Sequence, residues 1–269
     1  MVHSELAGLF LLFPAGKRPT RAALRDFAAG QRLVSLTLDP AVDAFPRPVE
    51  PGMAEPAAAA AASSQMDEAG WVELLREGLT FDLVGIAPGE AATFPEIENR
   101  FDLEARPNGL RYEALHLVPG QHLSGGQRSL PVAKGLIGLA RDLTNHFDQL
   151  EAVVWPPAKA GIGRRFFESI ATAWLEGGPF PALGLTAFRE TMDGAVQSVG
   201  LEFWIGQELR IEPPLSGDRV AATRLGVRLI NQLILIGGLD ESERIVAPDG
   251  TRLVMRPSRN GRFIRVWRE

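Results

Sequence analysis

Hydrophobic and polar positions recur along the chain with two different periods, which predicts strands and helices in turn. The apolar run Leu6–Phe13 is typical of a buried strand. Pro19–Ala29 has a proline in its first turn and Gly30 just past its end, as helices often do. Leu33–Leu38 is apolar enough for a second strand. The chain therefore opens with a strand, a helix and a strand.

Two long amphipathic patterns predict the main helices. One follows Pro131, and the other covers Asp218–Ile236 with Ser216 as its cap. The last turn of the second helix, Leu233–Ile236, is apolar all round, so we expect it to be deeply buried. The apolar face of the first helix consists of Val132, Leu136, Leu139, Ala140, Leu143 and Phe147.

Shorter patterns complete the predicted set of elements. A capping-box pattern at Ser64–Asp67 predicts a helix that ends at Gly78, and Gly163–Leu175 predicts another. The turn Pro248–Gly250 predicts a terminal hairpin, which continues to Arg262–Trp267. The other predicted strands are Phe81–Ala87, Leu110–Val118, Ala152–Trp155, Ala182–Phe188, Val199–Trp204 and Glu208–Glu212.

This order of elements predicts an α+β layered fold with a mixed, largely antiparallel sheet flanked by helices. We expect a single domain over residues 1–269. Chains of this length lie near the limit at which proteins begin to form two hydrophobic cores instead of one. A strand–helix–strand recurrence at 6–38, 110–155 and 182–236 is consistent with two related halves. Residues 40–66 contain five prolines and six consecutive alanines, which predicts a linker or an exposed loop.

Composition narrows the class of protein. Hydrophobic residues make up 45% of the chain and charged residues 23%, and the net charge is −5. Cysteine is absent, which excludes disulfides, thiolate nucleophiles and cysteine-ligated metals and favours the cytoplasm. The run Leu6–Phe13 is too short to span a bilayer and has neither a basic cluster before it nor a small-residue cleavage site after it. We therefore predict a cytoplasmic protein without membrane contact.

The hexapeptide LSGGQR at Leu123–Arg128 resembles the signature motif of the ABC-type ATPases. In that family the motif acts opposite a phosphate-binding loop, and the pattern G-x-x-x-x-G-K-[ST] occurs nowhere in this chain. The pair Gly16-Lys17 lacks both the upstream glycine and the following hydroxyl residue. A turn that leads into the next helix is the favoured interpretation.

The segment 200–211, GLEFWIGQELRI, precedes a predicted helix and a late Asp249-Gly250-Thr251 turn. This order resembles the bacterial domain-of-unknown-function family 4261, in which a similar glycine-leucine segment precedes a helix and a D-G-x-T hairpin. The resemblance covers the last 115 residues, from Trp155 onwards. The chain departs from the pattern at Trp204-Ile205 and in the basic residues after the hairpin. The resemblance implies a related fold, and it implies no chemical activity.

The histidines and one loop serine are the candidate catalytic groups. His116 and His122 are six residues apart, and no acid lies at ligand spacing from both, so structural roles are favoured over a metal or general-base pair. Ser124 lies in a glycine-rich loop without a base that faces it, although the loop amides suit an anion. We predict no metal and no cofactor, and the catalytic residues stay unknown.

Three cations around the segment 156–163 form the best candidate for an anion-binding site. Lys159, Arg164 and Arg165 lie in that segment and in the first turn of the helix after it. Cations at a helix N-terminus oppose the helix dipole unless an anion lies beside them. These three residues are therefore the best candidates for binding phosphate or carboxylate, although a solvated basic loop is the favoured interpretation.

The C-terminal segment carries six arginines against one acid, Glu269, with Phe263 and Trp267 between them. This composition resembles a nucleic-acid surface. Alternation along a strand, however, predicts that successive arginines fall on different faces, and charged edge strands are a common guard against aggregation. Upstream, Glu208, Arg210 and Glu212 are predicted to share one sheet face and to form cross-strand ion pairs, with a paired-carboxylate glycosidase site as the alternative.

Every candidate catalytic group in the sequence lacks a partner residue. The leading hypothesis is therefore a non-catalytic binding or interaction module with a protein partner. The first alternative is an enzyme acting on a small anionic substrate, with Lys159, Arg164 and Arg165 as the anion site and His116 or a sheet carboxylate as the base. The second alternative is nucleic-acid binding through the arginine-rich hairpin, although nucleic acid is not the expected partner.

Overall fold

A computed structural model of the chain describes residues 8–40, 70–105, 107–109, 111–123, 125–247 and 249–269. Helices and strands are both abundant, and the strands are largely antiparallel, so the predicted α+β layered fold is confirmed. The strands are divided between two mixed sheets. The proposed linker 40–66 lies outside the described residues except for Pro40. No helix in the described ranges is long and apolar enough to cross a membrane.

The first sheet contains eight strands, in the order β2-β3-β4-β6-β1-β7-β8-β5, and all neighbours are antiparallel except β5 and β8. Its strands are β1 Leu9–Pro14, β2 Val34–Leu38, β3 Trp71–Arg76, β4 Leu79–Val84, β5 Asn99–Phe101, β6 Tyr112–Pro119, β7 Ala152–Trp155 and β8 Ala160–Gly163.

The second sheet contains six strands, in the order β12-β13-β14-β11-β10-β9, and only β11 and β14 run parallel. Its strands are β9 Ala187–Glu190, β10 Val196–Val199, β11 Glu208–Ile211, β12 Glu243–Val246, β13 Arg252–Pro257 and β14 Phe263–Arg268.

Helices cover one face of each sheet. Their bounds are α1 Arg21–Gly30, α2 Leu130–His146, α3 Arg164–Leu175, α4 Ala182–Leu185, α5 Glu202–Ile205 and α6 Arg219–Ile236. Short 3₁₀ turns occupy Gln121–Leu123, Pro156–Ala158 and Leu215–Gly217. The single turn α4 is interrupted by non-helical backbone at Leu183 and Gly184.

The core follows the alternation of the strands. In β1, Leu9, Leu11 and Phe13 belong to the cluster that contains buried residues of α1 and α2. Phe10 and Leu12 face the other side, where residues 92–103 cover them. The second sheet packs α6 against one face, with buried contacts that include Leu229, Ile230 and Leu233 of the helix and Leu209, Ile211, Ile264 and Val266 of the sheet. Among the described residues, no helix covers the opposite face of the second sheet, and we call it the open face.

The two sheets share a strand order. In the second sheet, β11-α6-β12-β13-β14 brings β14 beside β11 in parallel. In the first sheet, β1-α1-β2-β3-β4 has the same succession, and β1 and β4 also run parallel because both pair antiparallel with the intervening β6. The two arrangements differ because β6 lies between β1 and β4 in the first sheet, whereas β11 and β14 are direct neighbours in the second. The segments that correspond here are not those from which the sequence suggested two related halves (6–38, 110–155 and 182–236), and a common origin stays a prediction.

An aromatic cluster packs between the sheets. Trp155 at the end of β7 is fully buried, and its ring centroid lies 5.1 Å from that of Phe203 and 5.7 Å from that of Trp204. Trp174 and Phe180 pack edge-on against Trp204. Because Trp155 belongs to the first sheet and α5 leads into the second, these rings join the two layers in one core.

The predicted helix ending at Gly78 is wrong for the described residues 70–78. Trp71–Arg76 is a strand with Val72, Leu74 and Arg76 on its buried side, and it pairs with β4. Glu77 and Gly78 form the turn with φ of 51° and 83°, as two-residue hairpins require. The alternation of buried and exposed positions therefore favours a strand over a helix in this segment. The proposed helix cap at 64–67 lies outside the described residues.

Three further predictions need correction. The predicted strand Ala182–Phe188 begins with α4, and the strand itself starts only at Ala187. The predicted strand Val199–Trp204 is the end of β10 followed by α5. The cap of α6 is Asp218, which accepts hydrogen bonds from two backbone amides, and not Ser216.

The last turn of α6 is not deeply buried, contrary to expectation. Leu233 is buried, but Leu235 is 85% exposed and Ile236 is 54% exposed. The helix ends at Gly237, in left-handed conformation, and its last two residues are exposed to solvent.

Candidate functional site

A row of polar side chains crosses the open face of the second sheet. Arg189 in β9 pairs with Gln197 in β10, which pairs with Arg210 in β11. Arg210 in turn lies opposite Arg265 in β14, and Arg265 lies opposite Arg256 in β13. Residues directly opposite each other in a sheet project from the same face. We call these five residues the arginine row.

The structure overturns one sequence argument about the C-terminal arginines. That argument assigned successive arginines to different faces, but Arg252 and Arg256 are four residues apart in β13, an even spacing that places both on the same face. Arg265 joins them because it pairs with Arg256. Arg268 differs, since it lies opposite the buried Leu253. Pairing between strands brings Arg252, Arg256 and Arg265 together on the open face, and the sequence of a single strand does not show this.

Glu212 fixes the centre of the row. This side chain is buried, and its carboxylate accepts hydrogen bonds from Nε of Arg210 at 2.9 Å and Nε of Arg265 at 2.5 Å. Arg210 also pairs with Asp193. The Arg265 guanidinium lies 4.9 Å from the centroid of the Trp267 ring, within cation–π range. Arg265 and Glu212 form a cross-strand ion pair of the predicted kind, whereas Arg210 pairs with Glu212 only two residues along the same segment and Glu208 forms no ion pair with a described residue.

The ends of the row are unpaired. The exposed side chains of Arg189 and Arg256 make no hydrogen bond or ion pair with any residue that the structure describes. The same holds for Arg262, which lies just before β14. Apolar side chains lie between the charges, among them the half-buried Val254 and Trp267. The open face thus combines a fixed centre with free cations at its edges.

A polar cavity of about 290 Å³ opens where the open face approaches the first sheet. We call it the inter-sheet cavity. Its lining residues come from both sheets: Glu98, Lys159, Arg189, Gln197, Ser198, Val199, Glu202, Glu208, Arg262 and Phe263.

Glu208 holds the wall of this cavity in place. Its carboxylate accepts hydrogen bonds from the backbone amides of Gly200 at 2.8 Å, Leu201 at 3.3 Å and Glu202 at 3.2 Å, and from the hydroxyl of Ser198. The Ser198 oxygen also accepts a hydrogen bond from the amide of residue 209 at 2.7 Å. Both side chains are therefore engaged in shaping the turn before α5, which leaves neither as an evident nucleophile or base.

The side chain of Gln197, in the arginine row, is also without a partner among the described residues. Only 7% of the residue is exposed, and its amide makes no hydrogen bond with any other described residue. It lines the inter-sheet cavity together with Arg189 and Arg262. Because the Gln197 amide makes no hydrogen bond within the described chain, its donor and acceptor are open to a ligand in the cavity.

The three cations predicted to bind an anion do not meet at one point. Lys159 pairs with Glu98 at 2.5 Å and lines the inter-sheet cavity. Arg164 donates to the carbonyl of Phe147 and pairs with Asp148, and Arg165 is exposed. The segment between Lys159 and Arg164 is the strand β8, which separates them by roughly 16 Å at about 3.3 Å per residue. Anion binding by this set stays a prediction, and only Lys159 reaches the cavity.

Two described residues of the LSGGQR motif, Leu123 and Arg128, contact the core. Ser124 lies outside the described residues, but Arg128 is described, and its guanidinium lies 5.7 Å from the centroid of the Phe203 ring. This contact gives Arg128 a structural role beside the aromatic cluster.

The histidines His116 and His122 do not converge. His116 in β6 stacks on Phe10 with ring centroids 4.1 Å apart, and its buried Nε2 has no hydrogen-bond partner in the described part of the chain. His122 lies beside the hydroxyl of Thr80. Within the described ranges, no group of three or more histidines and acids is arranged to hold a metal ion.

Burial of His116 predicts a loss of stability in acid. Desolvation lowers the pKa of His116 from 6.5 to about 4. Between these values the unfolded chain binds more protons than the folded chain, so the free energy of unfolding falls as the pH drops. We expect His116 to make the protein about 2 kcal/mol less stable at pH 5 than at pH 7. Urea denaturation of the wild type and of His116→Leu measures this, and the same pH dependence in both would contradict it.

No protein-family model, no curated protein and no solved structure matches this chain. The resemblance to family 4261 therefore stays a prediction. Arg189 and Gln197 belong to no sequence motif, and only the strand register brings them into the cavity that Arg262 also lines, so the sequence alone did not reveal them.

Proposed function

We propose that this protein is a non-catalytic binding module that binds an acidic segment of a partner protein on the open face of its second sheet. The arginine row carries the proposal. It presents four guanidiniums across five strands, and the two at its ends are free of ion pairs to the described residues. Arginine and aromatic residues are also enriched at protein interfaces.

The distribution of charge favours a protein over a nucleic acid. Glu212, Asp193 and Glu208 lie among the arginines, whereas nucleic-acid interfaces are much more strongly positive. One face of the Trp267 ring is covered by Arg265, which leaves less aromatic surface for base stacking. A mixed surface of this kind suits a peptide with carboxylates at intervals better than a continuous phosphate backbone.

An enzyme acting on a small anionic substrate is the second candidate, and the inter-sheet cavity is the observation in its favour. Its described lining contains no histidine. Glu98 pairs with Lys159, and Glu208 binds the Ser198 hydroxyl and the backbone, so Glu202 is the one carboxylate of the described lining left free. The residues that line the cavity are therefore better suited to binding a ligand than to catalysing a reaction.

Charge reversal at both ends of the row tests the proposed function. We expect Arg189→Glu/Arg256→Glu to weaken binding of a fluorescein-labelled polyglutamate peptide at least tenfold at low salt. Four units of charge change at exposed positions correspond to roughly 1.4 kcal/mol or more. Fluorescence anisotropy measures the dissociation constant, and added salt should weaken wild-type binding.

The matched control reverses the same charge on the other side of the sheet. Arg224 and Arg228 lie on α6, so Arg224→Glu/Arg228→Glu changes the net charge equally without touching the open face. Equal losses in the two double variants would show that only net charge matters, and would contradict the proposal. Tighter binding of a single-stranded oligonucleotide than of polyglutamate would move the assignment to nucleic acid.

A further inference from the structure

The inter-sheet cavity contains a balanced set of charges. Six ionisable side chains line it: the cations Lys159, Arg189 and Arg262 and the carboxylates Glu98, Glu202 and Glu208. A site built for a polyanion would show an excess of cations. Equal numbers of both signs instead favour a ligand that itself carries both signs.

Three of these six side chains are already engaged. Lys159 and Glu98 pair with each other at 2.5 Å, and the Glu208 carboxylate accepts four hydrogen bonds from the turn 198–202. Arg189, Arg262 and Glu202 remain, and their side chains have no partner in the described ranges. Two free guanidiniums and one free carboxylate therefore face the cavity.

Gln197 adds a neutral group between the charges. The residue is almost entirely buried, and its side-chain amide has both a donor and an acceptor without a partner among the described residues. A carboxylate would accept from its NH₂ group, and an ammonium group would donate to its oxygen.

The walls around these groups are rigid. Gly200 packs so closely on the turn before β8 that a Cβ atom there would lie 2.8 Å from the backbone of Ala158. Glu208 anchors the same wall from the other side. With about 290 Å³ of space, the cavity lies at the small end of ligand pockets, so it suits a ligand of a few heavy atoms and not a nucleotide.

We propose that the inter-sheet cavity binds a small zwitterionic acid, of which an acidic amino acid is the simplest example. Arg189 and Arg262 bind its carboxylates, Glu202 binds its ammonium group, and Gln197 hydrogen-bonds between them. The site goes beyond the proposed partner binding and shares only Arg189 and Gln197 with the arginine row. Arg262 and Glu202 belong to the cavity alone, so binding of the small acid can fail while binding of the acidic peptide persists.

Isothermal titration calorimetry of the full chain with two matched ligands tests the proposal. L-aspartate and succinate differ only by the ammonium group, so we expect aspartate to bind at least tenfold more tightly. L-alanine, which lacks the second carboxylate, should also bind at least tenfold more weakly than aspartate. Binding of succinate as tight as that of aspartate, or no heat from aspartate at millimolar concentration, would overturn the proposal.

Variants then locate the site. Arg262→Gln should weaken aspartate binding at least tenfold, and Gln197→Leu should do the same. Arg259→Gln is the control, because Arg259 is exposed in the same turn as Arg262 but does not line the cavity. Since Gln197 is buried, its variant is first checked by thermal unfolding, while the exposed Arg262 keeps the test valid if Gln197→Leu fails to fold. Equal losses in Arg262→Gln and Arg259→Gln would place binding elsewhere and reject the site.

Discussion

Replacing Trp155 by alanine is expected to lower the free energy of unfolding by about 4 kcal/mol, as truncation of a buried tryptophan does. The indole is completely buried where the two sheets meet. Its Nε1 donates to the carbonyl of Leu185 at 3.0 Å, so the substitution also leaves a buried acceptor unsatisfied. On the side of the second sheet, the substitution removes the ring that packs against Phe203 and Trp204.

Urea unfolding followed by far-ultraviolet circular dichroism measures the effect, and Trp71→Ala provides the matched truncation. Trp71 is half-buried on β3, four strands away from β7 in the first sheet. We expect its removal to lower the stability by about 1 kcal/mol, in proportion to the smaller apolar area that it buries. Similar losses in the two variants would mean that the aromatic cluster does not hold the layers together.

The sequence predicts the parts of this fold that local pattern controls. The helices α1, α2, α3 and α6 each have apolar positions at helical spacing, and the structure places them within a few residues of the predicted bounds. The prediction fails where the pattern is short. β3 has both an alternating pattern and apolar residues at helical spacing over six residues, and only its pairing with β2 and β4 decides between them.

The candidate sites depend on information that no local pattern contains. Arg189, Gln197 and Arg210 belong to three strands, and Arg265 lies more than 50 residues beyond the last of these. Their common face follows from strand order and register, and a shift of one residue in any pairing would reverse it. The sequence predicts Lys159 as an anion-binding residue, and it does reach the inter-sheet cavity, but its predicted partners are at the far end of β8.

The second large effect is expected from Gly200→Ala, which should lower the free energy of unfolding by about 3 kcal/mol. Gly200 has φ of 92°, which L-residues rarely adopt, and an added Cβ would lie 2.8 Å from N and Cα of Ala158 and from the carbonyl oxygen of Pro157. Backbone atoms cannot rotate away as a side chain can. The turn at Gly200 and the backbone of residues 157–158 must therefore move apart.

The variant Gly206→Ala separates the cost of the backbone conformation from the cost of the close contact. Gly206 also has positive φ, 75°, but an added Cβ would meet no atom within 4 Å, so only the backbone conformation is penalised, by about 1 kcal/mol. The difference between the two variants in urea unfolding therefore measures the close approach itself. Since the Gly200 amide also donates to Glu208, the same variant should bind L-aspartate more weakly while Gly206→Ala binds it normally. Equal stability of the two variants would mean that the turn at Gly200 can move, and that the inter-sheet cavity is less rigid than its contacts imply.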